Sequence, residues 1–484
     1  MENKNQDIYH SKIYLFLNAL TLLGYLILYP LITKFINPST YGNYILLYAY
    51  VSILINFCNL GCSVGFRRNF FEISDDKNYS NNLLYSVQIF ILIIFGLVLF
   101  FLISFESSIL KLFSFPKELE SLWILLVISL MLDSYSKYFF IYLENKKKSK
   151  IYFLIFFLKT YFYFIISILL VFFNKGILSL VYGLFYSNLF LLLISTFIQY
   201  SKGFKDYNLN FSYVKKILII SIPSTPRLLF GRINSDIDKI LISFFINSES
   251  TGIYAIGQSI AYSIFQIITS LDKVFIPEMY KLMFAKKFKK IGTYLRPFLF
   301  FFTLITLVVI SSTNLIVDTF LDIKYSEAKI VIIIFSIYYF TLFFSKVAGH
   351  QLVFLKKVWT NTFIFFINIF LNIILSIIFI YYLGFYGAAF ATAISSIISL
   401  LISIKILQKW MIINYDLMAI KLSYFFLTIA VVAQLITLNF SWLQDSYILQ
   451  FCLIIVLSLS FLIYGFTKKI ISKKNIMSIL YLHK

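Results

Sequence analysis

A stripe of ionisable side chains interrupts an otherwise apolar stretch of this chain. Arg232, Asp236 and Lys239 follow one another at steps of four and three residues, with Asp238 beside them. On a helix this spacing puts the three on one face, where Asp236 can pair with either cation. Because each charge inside a membrane costs about 2.5–3.5 kcal/mol, the stripe must be paired or must face water. Arg227 adds a cation on a neighbouring face, so the residues indicate a wet, slightly cationic surface.

Polar side chains recur at the same helical period on three other predicted spans, the first, the second and the eighth. The simplest arrangement places these faces on one central cavity together with the charged stripe. The alternative is interhelical hydrogen bonds, worth about 0.6 kcal/mol each, which is the simpler interpretation of any single Ser or Asn. For Arg232 with Asp236 we favour a functional role. The other candidates are Tyr48, Asn56 and Asn59 on the second span, residues 44–66, and Gln258, Tyr262 and Gln266 on the eighth, residues 252–275.

Other ionisable residues in apolar stretches permit a structural explanation. Asp133 and Lys137 are one helical turn apart and can form a buried pair. Lys159, Asp272 and Lys346 lie near the predicted inner ends of their helices, where a long side chain can reach water.

The elements that position these residues follow from composition. Hydrophobic residues make up 60% of the 484 residues, only 13% are charged, and the mean hydropathy is +0.88. Soluble globular chains have about a quarter of their residues charged. Apolar runs of about 20 residues, each long enough to cross the roughly 30 Å hydrocarbon core of a bilayer, recur from end to end. The sequence therefore predicts an all-α polytopic membrane protein with about fourteen transmembrane helices.

A repeated phrase predicts how these helices are organised. Residues 35–44 and 245–254 share Phe, Ile, Asn, Gly and Tyr at the same offsets, and residues 174–176 and 385–387 form a weaker second echo. A chance match in a biased composition is the alternative. Six helices separate the copies, so both halves should have the same orientation and be related by a pseudo-twofold axis. The predicted parts are a six-helix lobe at 1–212, a second at 213–412, and two further helices with a basic tail at 413–484.

The net charge of +21 is distributed as a topology signal. Of the 42 Lys and Arg residues, 29 lie in alternate loops that include both termini, and only six lie in the opposite loops. Positive loops favour the cytoplasm, so both termini of this multi-pass protein are predicted to be cytoplasmic. The basic residues can also touch anionic lipid head groups, and this pattern argues against a nucleic-acid partner.

The sequence also lacks the residues of several enzyme classes. It has no Gly-rich phosphate-binding loop with Lys, which argues against an ATPase. His10, His350 and His483 are scattered and predict no metal site or cofactor. The predicted outer loops are too short for the acceptor domain of a glycosyltransferase. We therefore expect a transporter and not an enzyme.

Several motifs resemble one known family when their order and spacing are taken together. They are Pro30 through Tyr44, Asn234 through Ile242 followed by Gly252-Ile253-Tyr254-Ala255, Tyr325-Ser326-Glu327-Ala328, and Gly384 through Thr392. The chain resembles the polysaccharide transporters, the O-antigen and capsule flippases, of the multidrug/oligosaccharidyl-lipid/polysaccharide (MOP) exporter superfamily.

This resemblance implies a function in a bacterial cytoplasmic (inner) membrane. It implies two lobes around a V-shaped cavity and a substrate of undecaprenyl diphosphate carrying an oligosaccharide, moved from the inner to the outer leaflet, with polysaccharide polymerase machinery as a possible partner. For that substrate, Arg232 is the first candidate for the diphosphate and Arg227 and Lys239 are the second. Asn, Gln and Tyr of the cavity suit sugars, and Asp236 or Asp238 could orient Arg232 or carry a coupling ion.

Two rival functions remain open at this point. One is a multidrug or small-cation antiporter of the same fold, whose cavity should be acidic. The other is a membrane polysaccharide polymerase or glycosyltransferase. Coupling to protons, to sodium or to neither is not decided by the residues.

Overall fold

The computed structural model describes residues 16, 20–21, 23–25, 27–70, 77–108, 120, 122–201, 209–411, 413, 415–439 and 446–467. All regular secondary structure in these residues is helical. Eleven helices within them are long and apolar enough to cross a membrane. The prediction of an all-α polytopic membrane protein is therefore confirmed. Each predicted span from the second to the fourteenth coincides with helical segments, whereas the first, 13–33, lies largely outside the described residues.

The described chain forms two compact units. The N-terminal unit holds Ala19–Ser243, and the C-terminal unit holds the described residues from Phe244 onward. The predicted lobe boundary at 212 thus lies before the helix that ends the N-terminal unit, and the two-lobe assignment stays a prediction. The helices of the N-terminal unit are α1 (27–35), α2 (Pro38–Cys58), α3 (Cys62–Asn69), α4 (Lys77–Ser104), α5 (Trp123–Asn145), α6 (Ser149–Phe172), α7 (Leu178–Ser201) and α8 (Phe211–Phe245, up to Ser243).

The C-terminal unit is built around α12, which is 67% buried over its most apolar window. Helices α9, α10 and α14 pack against it, and α15 packs against α10. This arrangement buries one helix and leaves its neighbours with an outward apolar face. The helices are α9 (Ser248–Phe284), α10 (Phe288–Ser311), α11 (Thr313–Phe320), α12 (Ala328–Phe354), α13 (Val358–Leu383), α14 (Phe385–Leu407), α15 (Leu417–Asn439) and α16 (Tyr447–Thr467), with a short 3-10 turn at Ile323–Tyr325.

Both copies of the repeated phrase form the same local structure. In each copy a helix ends and the next begins after a two-residue break, with Asn37 preceding α2 and Asn247 preceding α9. The Asn247 side chain accepts a hydrogen bond from the Ser250 backbone N–H at 2.8 Å and so caps its helix. The repeat therefore marks two equivalent helix–helix turns.

The second predicted span is two helices instead of one. Between α2 and α3 the chain turns at Leu60 and Gly61, with φ of 46° and 62°. The short α3 then lies against α8, because Gly65 has no side chain: a Cβ there would meet the Ile217 carbonyl oxygen at 2.4 Å. This close approach fixes α3 against the part of α8 that precedes the charged stripe.

A charged site on helix α8

Helix α8 carries two internal prolines just before its charged residues. Pro223 and Pro226 lack the N–H that would bond to the carbonyl one turn earlier, which permits a kink. Between them, the Thr225 hydroxyl donates a hydrogen bond to the Ser221 carbonyl oxygen at 3.0 Å. The helix continues beyond the two prolines, so the stripe is presented by regular helical backbone.

The predicted stripe forms a three-residue ion-pair network. The Nε of Arg232 lies 2.9 Å from Oδ2 of Asp236, and the Nζ of Lys239 lies 3.1 Å from Oδ1 of the same carboxylate. Lys239 also donates to the Ser235 carbonyl oxygen at 3.2 Å. Asp236 thus uses both oxygens to hold two cations, as the three- and four-residue steps predict.

Helix α2 contributes two further groups to this network. Ser52 accepts a hydrogen bond from Nε of Arg232 at 2.8 Å, and its hydroxyl lies 3.4 Å from Oδ2 of Asp236. The guanidinium carbon of Arg232 lies 5.7 Å from the centroid of the Tyr48 ring. A cation over an aromatic face is stabilised by about 0.5–1 kcal/mol or more. Arg232 is therefore held in one place by groups from two helices.

The burial of the three charges differs. The side chain of Asp236 is 6% exposed, that of Lys239 is 14% exposed and that of Arg232 is 28% exposed. The buried carboxylate compensates one of the two cations, so the network carries one net positive charge. Arg232 is the most exposed of the three charged side chains.

Arg227 is placed differently from the residues of this network. Its side chain is exposed, and it forms no hydrogen bond or ion pair within the part of the chain that the structure describes. Asp238 is buried and lies on a different face of α8 from Asp236. The structure thus brings Arg232, Asp236 and Lys239 together and leaves Arg227 outside their network.

The two asparagines of α2 have different environments. Asn56 is half-buried and donates to the Ser52 carbonyl oxygen at 2.8 Å, which leaves its side-chain oxygen available. Asn59 is buried, donates to the Ser134 hydroxyl and accepts from the Tyr138 hydroxyl. Packing between helices therefore accounts for Asn59, whereas Asn56 lies one turn from Ser52 beside the charged network.

The remaining predicted cavity residues lie on α9 in the C-terminal unit. Gln258 is half-buried, and Tyr262 is 41% exposed with its ring edge against Tyr339. Gln266 is half-buried, and its side-chain oxygen has no hydrogen-bond partner among the described residues. These three residues face the same side of α9 at one- and two-turn spacing.

Two features of the charged residues differ from the sequence-based expectations. Asp133 pairs with Lys159 of α6, and not with Lys137 one turn away. Asp272 pairs with Lys346 across α9 and α12, so neither group extends alone toward water. The direct bond from Arg232 to Ser52 was also not predicted, although Ser52 lies one helical turn from both Tyr48 and Asn56 on the predicted polar face. Such cross-helix partners depend on which helices are neighbours.

The fold is that of solved lipid flippases and multidrug exporters. The chain is similar to lipid II flippase MurJ in its inward closed conformation, with 16% identity, a TM-score of 0.64, and coverage of 96% of this chain and 99% of MurJ. An inward-facing multidrug resistance MATE family transporter of the MOP superfamily matches with 13% identity and a TM-score of 0.66, covering 81% of this chain and 96% of that one. A mutant of the Vibrio cholerae MATE transporter VcmN matches with 13% identity and a TM-score of 0.61, covering 84% of this chain and 96% of that one. These matches establish the class as a membrane protein with a MOP-type transporter fold.

The sequence itself identifies the family. Residues 31–298 match the family model described as polysaccharide biosynthesis protein. Because this segment is more than half of the chain, the chain belongs to that family. No curated protein matches the sequence significantly. Fold and family together confirm the resemblance to MOP-type polysaccharide transporters.

Proposed function

We propose that this protein is a flippase that moves undecaprenyl-diphosphate-linked oligosaccharide repeat units from the inner to the outer leaflet of a bacterial cytoplasmic membrane. The observation that carries the proposal is the way Arg232 is held. Its inner nitrogen, Nε, is engaged by Asp236 and Ser52, which directs the two terminal nitrogens away from both partners. A partly exposed guanidinium in this state is prepared to receive an anion.

A diphosphate suits this guanidinium better than other ligands do. Arginine keeps its charge in every accessible environment, and its planar fork matches two phosphate oxygens at once. Asp236 prevents the side chain from changing position when the ligand is absent, so less conformational entropy is lost on binding. The carboxylate lies on the Nε side, where it repels the ligand least. Lys239 balances Asp236 and preserves the net positive charge.

Arg227 supplies a second phosphate contact in this proposal. It lies on the same helix and is exposed and unpaired within the described residues, so binding it requires no existing ion pair to break. A diphosphate carries about two negative charges, and two arginines compensate them more completely than one. The lipid tail can remain in hydrocarbon while the head group passes the charged helix.

The oligosaccharide meets polar groups that do not carry charge. In the N-terminal unit, Tyr48 and Asn56 on α2 offer an aromatic face and an amide beside Arg232. In the C-terminal unit, taken by itself, Gln258, Tyr262 and Gln266 on α9 offer amides and an aromatic face of the same kind for sugar hydroxyls and rings. The unpartnered oxygen of Gln266 is suited to accept a hydrogen bond from a hydroxyl. We assign sugar binding to these residues and helix packing to Asn59.

The membrane potential favours export in this direction. Moving about two negative charges outward gains roughly 4–5 kcal/mol per 100 mV when no cation accompanies them. Removal of the product by polysaccharide polymerase machinery would then keep the reaction moving outward. Both termini are assigned to the cytoplasm because the positively charged loops include them.

A multidrug or small-cation antiporter is the second candidate, because two of the similar structures are MATE transporters. An export site for cations needs excess acid. Here the buried acid Asp236 already serves two cations. The charge of this site therefore favours an anionic substrate over a cationic drug.

Deletion of the gene in the bacterium that carries it separates these functions. The flippase proposal predicts loss of surface polysaccharide and accumulation of lipid-linked repeat units on the inner face. Unchanged polysaccharide with new sensitivity to cationic drugs would instead support the antiporter. Loss of polysaccharide with full-length lipid-linked units on the outer face would support a polymerase.

A further inference from the structure

The C-terminal unit contains a second cluster of ionisable side chains within its helices. Asp272 of α9 and Lys346 of α12 form a salt bridge through Oδ2 of the carboxylate. His350 lies one turn beyond Lys346, and its Nδ1 is 3.3 Å from the hydroxyl of Tyr280. Two contacts therefore link α9 and α12: the Asp272–Lys346 salt bridge and the Tyr280–His350 contact.

One oxygen of this salt bridge is unsatisfied. Asp272 is 9% exposed, and its Oδ1 is buried with no hydrogen-bond partner among the described residues. A buried carboxylate oxygen without a partner is costly, so native structures retain few of them without a reason. A protonated Oδ1 would remove the negative charge that burial disfavours.

The surroundings of Asp272 limit which charges can act on it. From α12 it faces Lys346 and His350, and both interact with it electrostatically. On α10, Arg296 is already paired with Asp416 at 2.5 Å. From α14 no ionisable side chain contacts the pair within the described residues.

The aromatic neighbours keep the pair in an apolar setting. The Lys346 ammonium lies 4.9 Å from the centroid of the Phe265 ring. Phe275, one turn after Asp272, packs against Phe298 of α10 and Phe343 of α12. Aromatic rings therefore lie beside the Lys346 ammonium and one helical turn from Asp272. The protonation state of the carboxylate therefore changes the local charge balance strongly.

We propose that Asp272 is a proton-binding site that opens the salt bridge between α9 and α12 when a proton from solution binds Oδ1. Neutralising the carboxylate leaves Lys346 without a counter-ion, and its side chain, 23% exposed, then gains by moving toward water. Tyr280 and His350 lie between Asp272 and the end of α9 at Phe284, the end assigned to the cytoplasm by loop charge. They form the route by which a proton reaches or leaves the site.

The chemistry of this cluster selects a proton over a metal cation. Lys346 occupies Oδ2 and would repel a sodium ion at the same carboxylate. Within the described residues no group of three or more His, Cys, Asp or Glu side chains could hold a metal. A proton needs only the one free oxygen that Asp272 provides.

Only the consequence of this inference rests on the proposed function: in a flippase, proton binding at Asp272 would couple transport to the proton gradient. The site itself can be tested without substrate. Infrared difference spectra of the purified full-length protein in liposomes, recorded across a pH titration, report the carboxyl C=O band of a protonated Asp. The other carboxyl groups of the chain absorb in the same region, so the contribution of Asp272 is the difference between the titrations of the native protein and of Asp272→Asn. We expect a titrating component of the band that is lost in Asp272→Asn and persists in Asp318→Asn.

Asp318 is the control because it also pairs with a lysine of α12. Both of its oxygens contact Lys329, at 2.7 and 2.9 Å, so neither is free to take a proton. Lys346→Met supplies a second test that leaves Asp272 in place. Without the ammonium, the band should appear at a pH about 1–3 units higher. His350→Gln should slow the appearance of the band after a pH jump.

Three outcomes would overturn the proposal. They are a titration of the band that Asp272→Asn leaves unchanged, an Asp272 midpoint that does not move in Lys346→Met, and an Asp272 midpoint that sodium shifts relative to potassium at equal ionic strength. If Asp272→Asn does not fold, the Lys346→Met midpoint decides. Failure of these tests would leave the proposal of a lipid-linked substrate untouched. Unchanged surface polysaccharide in the deletion strain, together with an Asp272 band that titrates as expected, would overturn only the flippase proposal.

Discussion

The Nε of Arg232 lies 2.9 Å from Oδ2 of Asp236, one helical turn further along α8, and 2.8 Å from the hydroxyl of Ser52 on α2. Two elements far apart in sequence thus orient one guanidinium. The side chain is neither a lone charge in an apolar helix nor a fully buried structural pair. This intermediate state is what a reversible anion-binding site requires.

Two substitutions of Arg232 distinguish the contribution of its positive charge from that of its planar guanidinium group. Arg232→Ala should abolish complementation of the deletion strain, because charge-assisted hydrogen bonds to a phosphate are worth about 1.5–3 kcal/mol each. Arg232→Lys keeps the charge and loses the fork, so partial complementation is expected. The measurement is surface polysaccharide at matched membrane protein level. Full complementation by Arg232→Ala would remove the diphosphate assignment.

Arg227 provides a test in which folding is not involved. Because its exposed side chain makes no bond within the described residues, Arg227→Ala should leave the thermal stability of the purified protein unchanged. It should still reduce transport by roughly tenfold if it binds phosphate. Arg68→Ala, at an exposed position at the end of α3, is the control for loss of a surface cation. Equal effects of the two variants on transport would argue against a specific role for Arg227.

Asp236 should matter for stability as well as for transport. Asp236→Ala leaves Lys239 and Arg232 without a counter-ion, which destabilises a buried network by roughly 3 kcal/mol. Asp133→Ala is the matched control, since it also breaks an intramembrane pair but its side chain is 45% exposed. That loss should be below about 1 kcal/mol. Unfolding of both variants in detergent would be compared; similar midpoints would contradict the burial argument.

The turn between α13 and α14 depends on two glycines of the resembling motif. Gly384 has φ of 62°, and a Cβ on Gly387 would meet the Phe379 carbonyl oxygen at 2.1 Å. Gly387→Ala must therefore separate the two helices and lower both stability and yield. Gly96→Ala, in α4 with nothing within 4 Å of the added carbon, should be neutral or stabilising by up to about 1 kcal/mol. A well-folded Gly387→Ala protein would show that the two helices can separate without loss.

Local sequence patterns predicted most of the helices, the two repeated turns and the ion pairs within helix α8. Apolar runs and short polar gaps indicated nearly every helix, and the repeated phrase located both α1–α2 and α8–α9 turns. The i, i+3 and i, i+4 spacing predicted the bonds of Asp236, because these partners lie on one helix. Residues 44–66 were predicted as one span since no apolar pattern reveals the turn at Leu60 and Gly61.

Partners on different helices could not be predicted in the same way. Asp133 forms a salt bridge with Lys159 and not with Lys137, and Asp272 forms one with Lys346. Helix packing decides which of these side chains come into contact. A single sequence contains no record of that packing. For the same reason, the sequence did not predict that Asn59 hydrogen-bonds to Ser134 and Tyr138 on another helix. The helical period had placed Asn59 in a cavity.

Reconstitution tests the central claim most directly. Purified protein in liposomes would be supplied with an undecaprenyl-diphosphate-linked oligosaccharide, and its exposure on each leaflet would be followed with a membrane-impermeant enzyme that modifies the sugar. The flippase account predicts rapid translocation by the native protein and background translocation by folded Arg232→Ala. Equal rates in the two proteoliposomes, or no translocation above protein-free liposomes, would contradict it.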